Sequence, residues 1–230
     1  MTNSWQEATV VSVNDQTPDF RSIILKPKKF YDFKSGNFVE LALRPAQGKL
    51  PRTYKCYSVV STPQEIGGIE VGVKLYKDGA LSPKLFKFKK NNKLLMRGPL
   101  GAYFVWELSK RDTVLIAGGS GICPMISILR QYNPGLAKMY LLFSTKQGSV
   151  YYEDELNRLC SEKNINYVLI QTGKNGRVNK KIIHGRFGNL IGTDTDFFVA
   201  GPTGFVQDVS LWLRELGVEE GSLKTDDFET

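Results

Sequence analysis

The sequence predicts two domains in tandem, an antiparallel β-barrel followed by a doubly wound α/β sheet. Three observations carry this. Up to about Phe104 the chain reads as short β segments separated by turn residues. After Thr113 the apolar runs become near-continuous and alternate with helical spacings. Between them the polar stretch Glu107–Asp112 marks a boundary, giving domains over residues 1–106 and 107–230.

The first half contains six β segments: Ala8–Val13, Arg21–Lys26, Phe38–Leu43, Tyr54–Val59, Ile69–Leu75 and Lys93–Arg97. Gly36-Asn37, Gly67-Gly68 and Asp78-Gly79 supply turn signals between them, and six short strands at this spacing suit a closed antiparallel barrel. In the second half Thr113–Ala117, Met139–Phe143, Tyr167–Gln171 and Asp196–Ala200 have the composition of parallel strands buried on both faces. Ile122, Met125, Ile126 and Leu129 fall at i, i+3, i+4 and i+7, and Phe205, Val206, Val209 and Leu213 show a similar helical spacing. Such alternation implies right-handed crossovers and a parallel sheet with helices on its faces.

Composition narrows the function classes. Cys56, Cys123 and Cys160 are odd in number and widely spaced, which suits reduced thiols and is too few to hold an iron–sulfur cluster. No metal-ligand spacing and no nucleophile–base pair is present. No apolar run approaches the roughly 20 residues of a membrane span, and Met1–Trp5 lacks the character of a signal peptide. The expectation is a cytoplasmic protein without a membrane span. The net charge of +8 reads either as a solvated surface or as attraction to an acidic partner. The densest run, Lys84, Lys87, Lys89, Lys90 and Lys93 around Phe86 and Phe88, looks like a helical or loop face rather than a nucleic-acid module. His184 reads as a surface residue. Glu153, Asp154 and Glu155 read as the acidic first turn of a helix.

Three ordered segments carry chemistry: Lys55-Cys56-Tyr57-Ser58-Val59-Val60-Ser61, Gly118-Gly119-Ser120-Gly121-Ile122-Cys123-Pro124 and Ala200-Gly201-Pro202. Together they resemble the ferredoxin-NADP reductase family, from about Glu7 to Phe228. The first is similar to that family's R-x-Y-S flavin site, the second to its G-x-G-x-x-P nicotinamide site, and the third to its C-G-P turn under the nicotinamide. On its own the first segment also reads as an ordinary β segment, and the second as a tight strand–helix connection. Strand Thr113–Ala117 running into glycines, with a helix to follow and Pro124 in its first turn, makes a helix N-terminus suited to pyrophosphate.

The resemblance implies a Greek-key FAD barrel and an NAD(P)-binding α/β domain in an FAD-dependent oxidoreductase. NAD(P)H would supply hydride, and an acidic carrier, ferredoxin or flavodoxin, would take single electrons; a monomer is the expected state. It implies a ring contact from Tyr57, a hydrogen bond from Ser58 to flavin N5, and a cation, Lys55, at the pyrophosphate beside Cys56. The strand containing Val73 and Lys74 and the turn Gly79-Ala80-Leu81-Ser82 would close over the pyrophosphate, and Phe228 would cover the other flavin face. Gly119, Ser120, Gly121, Ile122, Pro124, Ser144, Ala200, Gly201 and Pro202 would line the nicotinamide site. After Gln171 the loop Thr172-Gly173-Lys174-Asn175-Gly176-Arg177 contains no acid, and Thr172, Lys174 and Arg177 fit a 2′-phosphate, so NADPH is expected over NADH. Lys174 and Arg177 also read as solvated loop charges, and Phe228 as part of a frayed terminus. Two departures stand out: Lys55 replaces the usual Arg and so lacks a bidentate fork, and Ala200 replaces the usual Cys. An oxygenase reductase subunit, a free-flavin reductase and a non-catalytic flavin-binding regulatory subunit are the alternatives.

Overall fold

The computed structural model describes residues 4–45, 50–65, 67–135 and 137–228. The chain divides into two compact units, Met1–Trp106 with Ile126–Ile128, and Glu107–Met125 with Leu129–Thr230.

The first unit is a six-stranded antiparallel sheet of β1 (Gln6–Thr17), β2 (Phe20–Pro27), β3 (Phe38–Ala42), β4 (Lys55–Ser58), β5 (Ile69–Lys74) and β6 (Lys93–Leu100), in the order β4-β3-β6-β1-β2-β5. An isolated antiparallel bridge between Val59 and Val71 brings the two ends of that order together, closing the barrel. Alternation selects the core: Ala8 and Val10, Ile23 and Leu25, Val39 and Leu41, and Val71 and Val73 all point inward and are buried. A one-turn helix, α1 (Ser82–Leu85), plugs the barrel with Leu81 and Leu85.

The second unit is a five-stranded parallel sheet of β7 (Asp112–Gly118), β8 (Met139–Lys146), β9 (Asn166–Thr172), β10 (Thr195–Pro202) and β11 (Leu223–Phe228), ordered β11-β10-β7-β8-β9. Helices α2 (Ile122–Gln131), α3 (Glu153–Glu162), α4 (Lys180–Phe187) and α5 (Thr203–Glu215) alternate with the strands. Because β7 is central, with β8 and β9 added on one side and then β10 and β11 on the other, the strand order reverses between β7 and β10, the place where open α/β sheets form a ligand crevice. The apolar runs read as strands are strands here, each extended by one to three residues into polar ends that the ladders still pair. Glu153–Glu155 do open a helix, α3. His184 is exposed on α4. No helix of the described residues is long and apolar enough to cross a membrane.

Candidate flavin and nicotinamide sites

In the barrel the candidate flavin residues lie where the wall is weakest. β4 pairs along one edge with β3, Tyr57 opposite Val39 and Ser58 opposite Phe38, whereas its link to β5 is the Val59–Val71 bridge. The register puts Tyr57 on the inward face with buried Val39, and the ring packs against the barrel core while staying partly accessible. Burial pushes its phenol well above the ordinary tyrosine range, with smaller contributions from Cys56 and Tyr76, so it is neutral at any physiological pH. Ser58 follows on the opposite face and is buried. Lys55 and Cys56 are exposed. A second cation, Lys74, lies 5.4 Å from the Tyr76 ring centre.

After β5 the chain turns back, with Gly79 N–H donating to Tyr76 O at 2.9 Å. A Cβ at Gly79 would stand 2.9 Å from Ser82 Oγ and 3.0 Å from Tyr76 O, so the turn is too tight for a side chain. The Ser82 hydroxyl accepts from Tyr76 N–H at 3.1 Å and donates to Tyr76 O at 3.3 Å. It therefore braces the turn. Helical hydrogen bonding starts with Lys84 N–H to Leu81 O, which leaves the amides of Leu81 and Ser82 among the orphan donors of a helix start. Backbone donors, two cations and an aromatic ring are the groups a dinucleotide flavin requires, so the residues fit FAD.

The nicotinamide candidates converge at the carboxyl edge of the parallel sheet. β7 ends at Gly118, a turn of 3-10 helix covers Gly119–Gly121, and α2 begins at Ile122. β10 ends at Ala200-Gly201-Pro202 immediately beside it, since Ala200 pairs with Ala117. Backbones meet here at contact distance. A Cβ at Gly121 would lie 2.1 Å from Ala200 O, and one at Gly201, whose φ is +152°, would lie 2.8 Å from Gly118 O. Gly119 differs: its φ is +53° and a Cβ there would meet nothing within 4 Å, leaving space in front of the α2 N-terminus for an anion. Ser144 pairs with Gly118 on the next strand. These residues fit a nicotinamide dinucleotide.

Several assignments change character. The side chains of Val73, Leu81 and Ile122 are buried in their own cores, and Pro124 is buried and lacks an N–H. Their contribution to a cofactor is therefore limited to main chain and shape. Phe228 belongs to β11, a regular strand whose register sets it beside Pro202, and Thr203 Oγ1 donates to its carbonyl at 3.5 Å. Thr172 ends β9, and Lys174 and Arg177 are exposed in the loop after it. A hollow of about 340 Å³ beside that strand is lined by Val168, Ile170, Asn175, Ile182 and Arg186. Arg186, the seventh residue of α4, is a cation the loop reading missed. Also missed is a clamp at the start of β4, the candidate flavin strand. Arg97, ion-paired to Glu40, lies 4.9 Å from the Trp5 ring centre and 5.4 Å from that of Tyr54, next to Lys55. Only strand register brings residues 5, 40, 54 and 97 together, so no local motif announces the cluster.

A flavin-type barrel followed by a switch-point dinucleotide sheet is the build of a flavoprotein oxidoreductase. Residues 6–105 match the oxidoreductase FAD-binding domain, and residues 115–211 match the oxidoreductase NAD-binding domain. The chain belongs to the ferredoxin-NADP reductase-like family. Among curated proteins it is 26% identical over 188 residues to NADH-cytochrome b5 reductase 2 of Yarrowia lipolytica, covering 75% of this chain and 65% of that one. It is 30% identical over 181 residues to NADH-cytochrome b5 reductase 2 of Aspergillus clavatus, covering 73% and 55%. The chain thus spans less than two thirds of the length of these two relatives. Among solved structures, a ferredoxin NADP+ reductase from Neisseria gonorrhoeae with bound FAD and NADP superposes with a TM-score of 0.81 at 20% identity, covering 99% of both chains. The Amycolatopsis cytochrome P450 reductase GcoB gives 0.83 at 20% identity, covering all of this chain and 72% of that one.

Proposed function

We propose that this chain oxidises NADPH by two electrons and reduces two equivalents of a one-electron carrier, an acidic protein of the ferredoxin or flavodoxin type, with residues 1–106 holding FAD and residues 107–230 holding the nicotinamide. FAD, when bound, supplies the conversion of hydride into single electrons. The protein supplies position and charge. Tyr57 offers an aromatic surface and Ser58 a hydroxyl for the flavin, Lys55 and Lys74 offer cations, and the amides of Leu81 and Ser82 offer phosphate donors. Gly119 and Ser120 leave main chain accessible for the nicotinamide's pyrophosphate, buried Gly121 brings the start of α2 against β10, and Ala200-Gly201-Pro202 flank the ring site without a thiol.

The observation that carries this reading is the approach of Gly121 to Ala200, which no other residue type permits and which shapes the crevice between β7 and β10. The acid-free loop Thr172–Arg177 supports NADPH. The cytochrome b5 reductases among the relatives are named for NADH, which makes that choice an outcome to be measured. Anaerobic titration of the purified protein with each nicotinamide, followed by its flavin absorbance, tests the reading: bleaching by NADPH is expected, and a protein that takes up no FAD at micromolar concentration refutes it. The exposed Lys55, a point charge where the family has a forked Arg, favours one second reading, a reductase of free flavin. FAD lost on gel filtration but turned over when added would select it.

A further inference from the structure

The charge of this protein is not evenly divided. Residues 1–106 carry 17 Lys and Arg against 8 Asp and Glu, a net +9, whereas residues 107–230 carry 14 against 15. The excess belongs to the barrel, and part of it is gathered on one face. Thr9 on β1 pairs with Lys26 on β2 and with Lys93 on β6. Residues paired across antiparallel strands share a face, and Ala8 and Val10 on either side of Thr9 are fully buried, so all three of the row point outward. With strands about 4.8 Å apart, the row spans roughly 10 Å at the backbone.

Neighbouring segments enlarge it. Lys28 N–H donates to Glu7 O at 3.1 Å, and Lys29 is tied to the Gln6 side chain by two hydrogen bonds of 2.8 and 3.1 Å. On the other flank the turn Lys89–Asn92 is locked onto β1 by Asn91 N–H to Val10 O and Val10 N–H to Asn92 O, both 2.8 Å. Arg21 fixes the segment leading to that turn by donating to Phe86 O at 2.6 Å and Phe88 O at 3.3 Å. Lys26, Lys28, Lys29, Lys89 and Lys90 are exposed and make no ion pair among the described residues. Glu7 is the acid within the row, paired to Lys93 at 3.0 Å and Arg44 at 2.9 Å. Directly after Lys28-Lys29 stands Phe30, 50% exposed.

With the flavin placed at β4 as proposed above, this face is not the route for electrons. Counted round the closed sheet, β1 is three strands from β4 in either direction, so the lysines lie across the barrel from the candidate flavin strand. We infer that the β1 face docks the protein on an anionic phospholipid surface, leaving the β4 edge turned away from the membrane. Two features favour a bilayer over an acidic protein or a nucleic acid. The unpaired cations are all lysines, which suit a diffuse field of headgroups, whereas directional reading of carboxylates or phosphates favours the arginine fork. Phe30 adds an apolar group at the level of the lysines, and the two signals together hold a protein on a membrane more firmly than either alone.

Co-sedimentation of the flavin-loaded full chain with vesicles tests this, comparing phosphatidylcholine alone with phosphatidylcholine carrying about 30% phosphatidylserine at about 0.1 M salt. The protein is expected to pellet only with the anionic vesicles and to be released at about 0.5 M salt. Each lysine neutralised lowers partition about fivefold, so the combined Lys26→Gln, Lys28→Gln and Lys89→Gln variant loses on the order of a hundredfold. Phe30→Ser weakens binding further. Both variants keep wild-type ferricyanide reduction, which shows they are folded. A charge-matched control, Lys110→Gln with Lys138→Gln and Lys181→Gln, is expected to bind as wild type. Failure of the wild type to pellet with anionic vesicles, an equal loss in the control, or retained binding in the triple variant overturns the proposal. If the wild type ignores vesicles yet binds immobilised polyglutamate through the same lysines, the partner is an acidic protein and the membrane reading falls.

Discussion

Gly121→Ala places the tightest backbone contact under load. The new Cβ would stand 2.1 Å from Ala200 O, and ordinary contact begins at 3.4 Å, so the start of α2 and the end of β10 must part by about 1.3 Å. The atoms met are not flexible side-chain tips but the backbone of Ala200 and Gly201, held in the ladders of β10 with β7 and β11. Overpacking of this kind costs about 1–3 kcal/mol, which for a chain of this size lowers Tm by about 2–4 °C per kcal/mol. The functional effect is larger, since displacing a bound reactant by about 1 Å can cost roughly a hundredfold in rate. Gly221→Ala is the paired control: a Cβ there meets no atom within 4 Å, and the position lies in the turn before β11, at the amino edge of the sheet rather than in the crevice. Stopped-flow reduction of the flavin by NADPH, with FAD content read from the same samples, separates the outcomes. Gly121→Ala is expected to keep FAD while the reduction rate falls by one to two orders of magnitude, with Gly221→Ala close to wild type. An unaltered rate in Gly121→Ala, or loss of FAD in its place, would refute the assignment of this crevice.

Four further outcomes are expected. Tyr57→Ala should release most of the FAD on gel filtration, whereas Tyr57→Phe, which keeps the ring and sheds a neutral hydroxyl, should hold it. Lys174→Glu or Arg177→Glu should raise KM for NADPH about 10- to 100-fold, the worth of a charged hydrogen bond, and leave NADH nearly unchanged; a wild-type preference for NADH would count against the loop assignment. Reduction of an acidic ferredoxin should slow steeply between low and physiological salt, where the Debye length is about 8 Å, and ferricyanide reduction should change less; equal slopes would move the weight to free-flavin reduction. Burial pushes the Cys160 thiol up to about 11 from an ordinary 9.0, so its contribution to stability is complete below pH 9 and is lost as pH rises through 11. Urea midpoints measured over that range should fall less in Cys160→Ala than in the wild type.

Periodicity made most of the fold legible. Short β segments between turn signals located all six barrel strands to within a few residues, and in β2, β3 and β5 the inward Val, Ile or Leu at every second position is what a one-sided core demands. The parallel strands announced themselves by unbroken apolar runs. β11 did not: Leu223–Phe228 reads Leu-Lys-Thr-Asp-Asp-Phe, and an edge strand with one buried residue has no pattern to display. α4 was equally silent, its apolar residues Ile182, Ile183 and Phe187 lying among lysines, arginine and a glycine. In the candidate site, glycines were readable because close approach excludes every other residue, yet the partners of each approach were not. That Gly121 abuts Ala200, or that Arg97 bridges Trp5, Tyr54 and Glu40, is a fact of pairing across the sheet.

The same pairing imposes an order on synthesis. β6 lies between β1 and β3, so the barrel has a gap in its wall until Lys93–Leu100 has left the ribosome. At about 5–20 residues per second the roughly 50 residues after Ala42 take on the order of 3–10 s. Through that interval the β1–β2 hairpin exists with one edge of β1 open, a template for pairing with another nascent chain. Like charge on neighbouring chains, from the lysines at the end of β2 and just beyond it, opposes that encounter. The barrel's basic face would then protect the chain before it has anything to dock with.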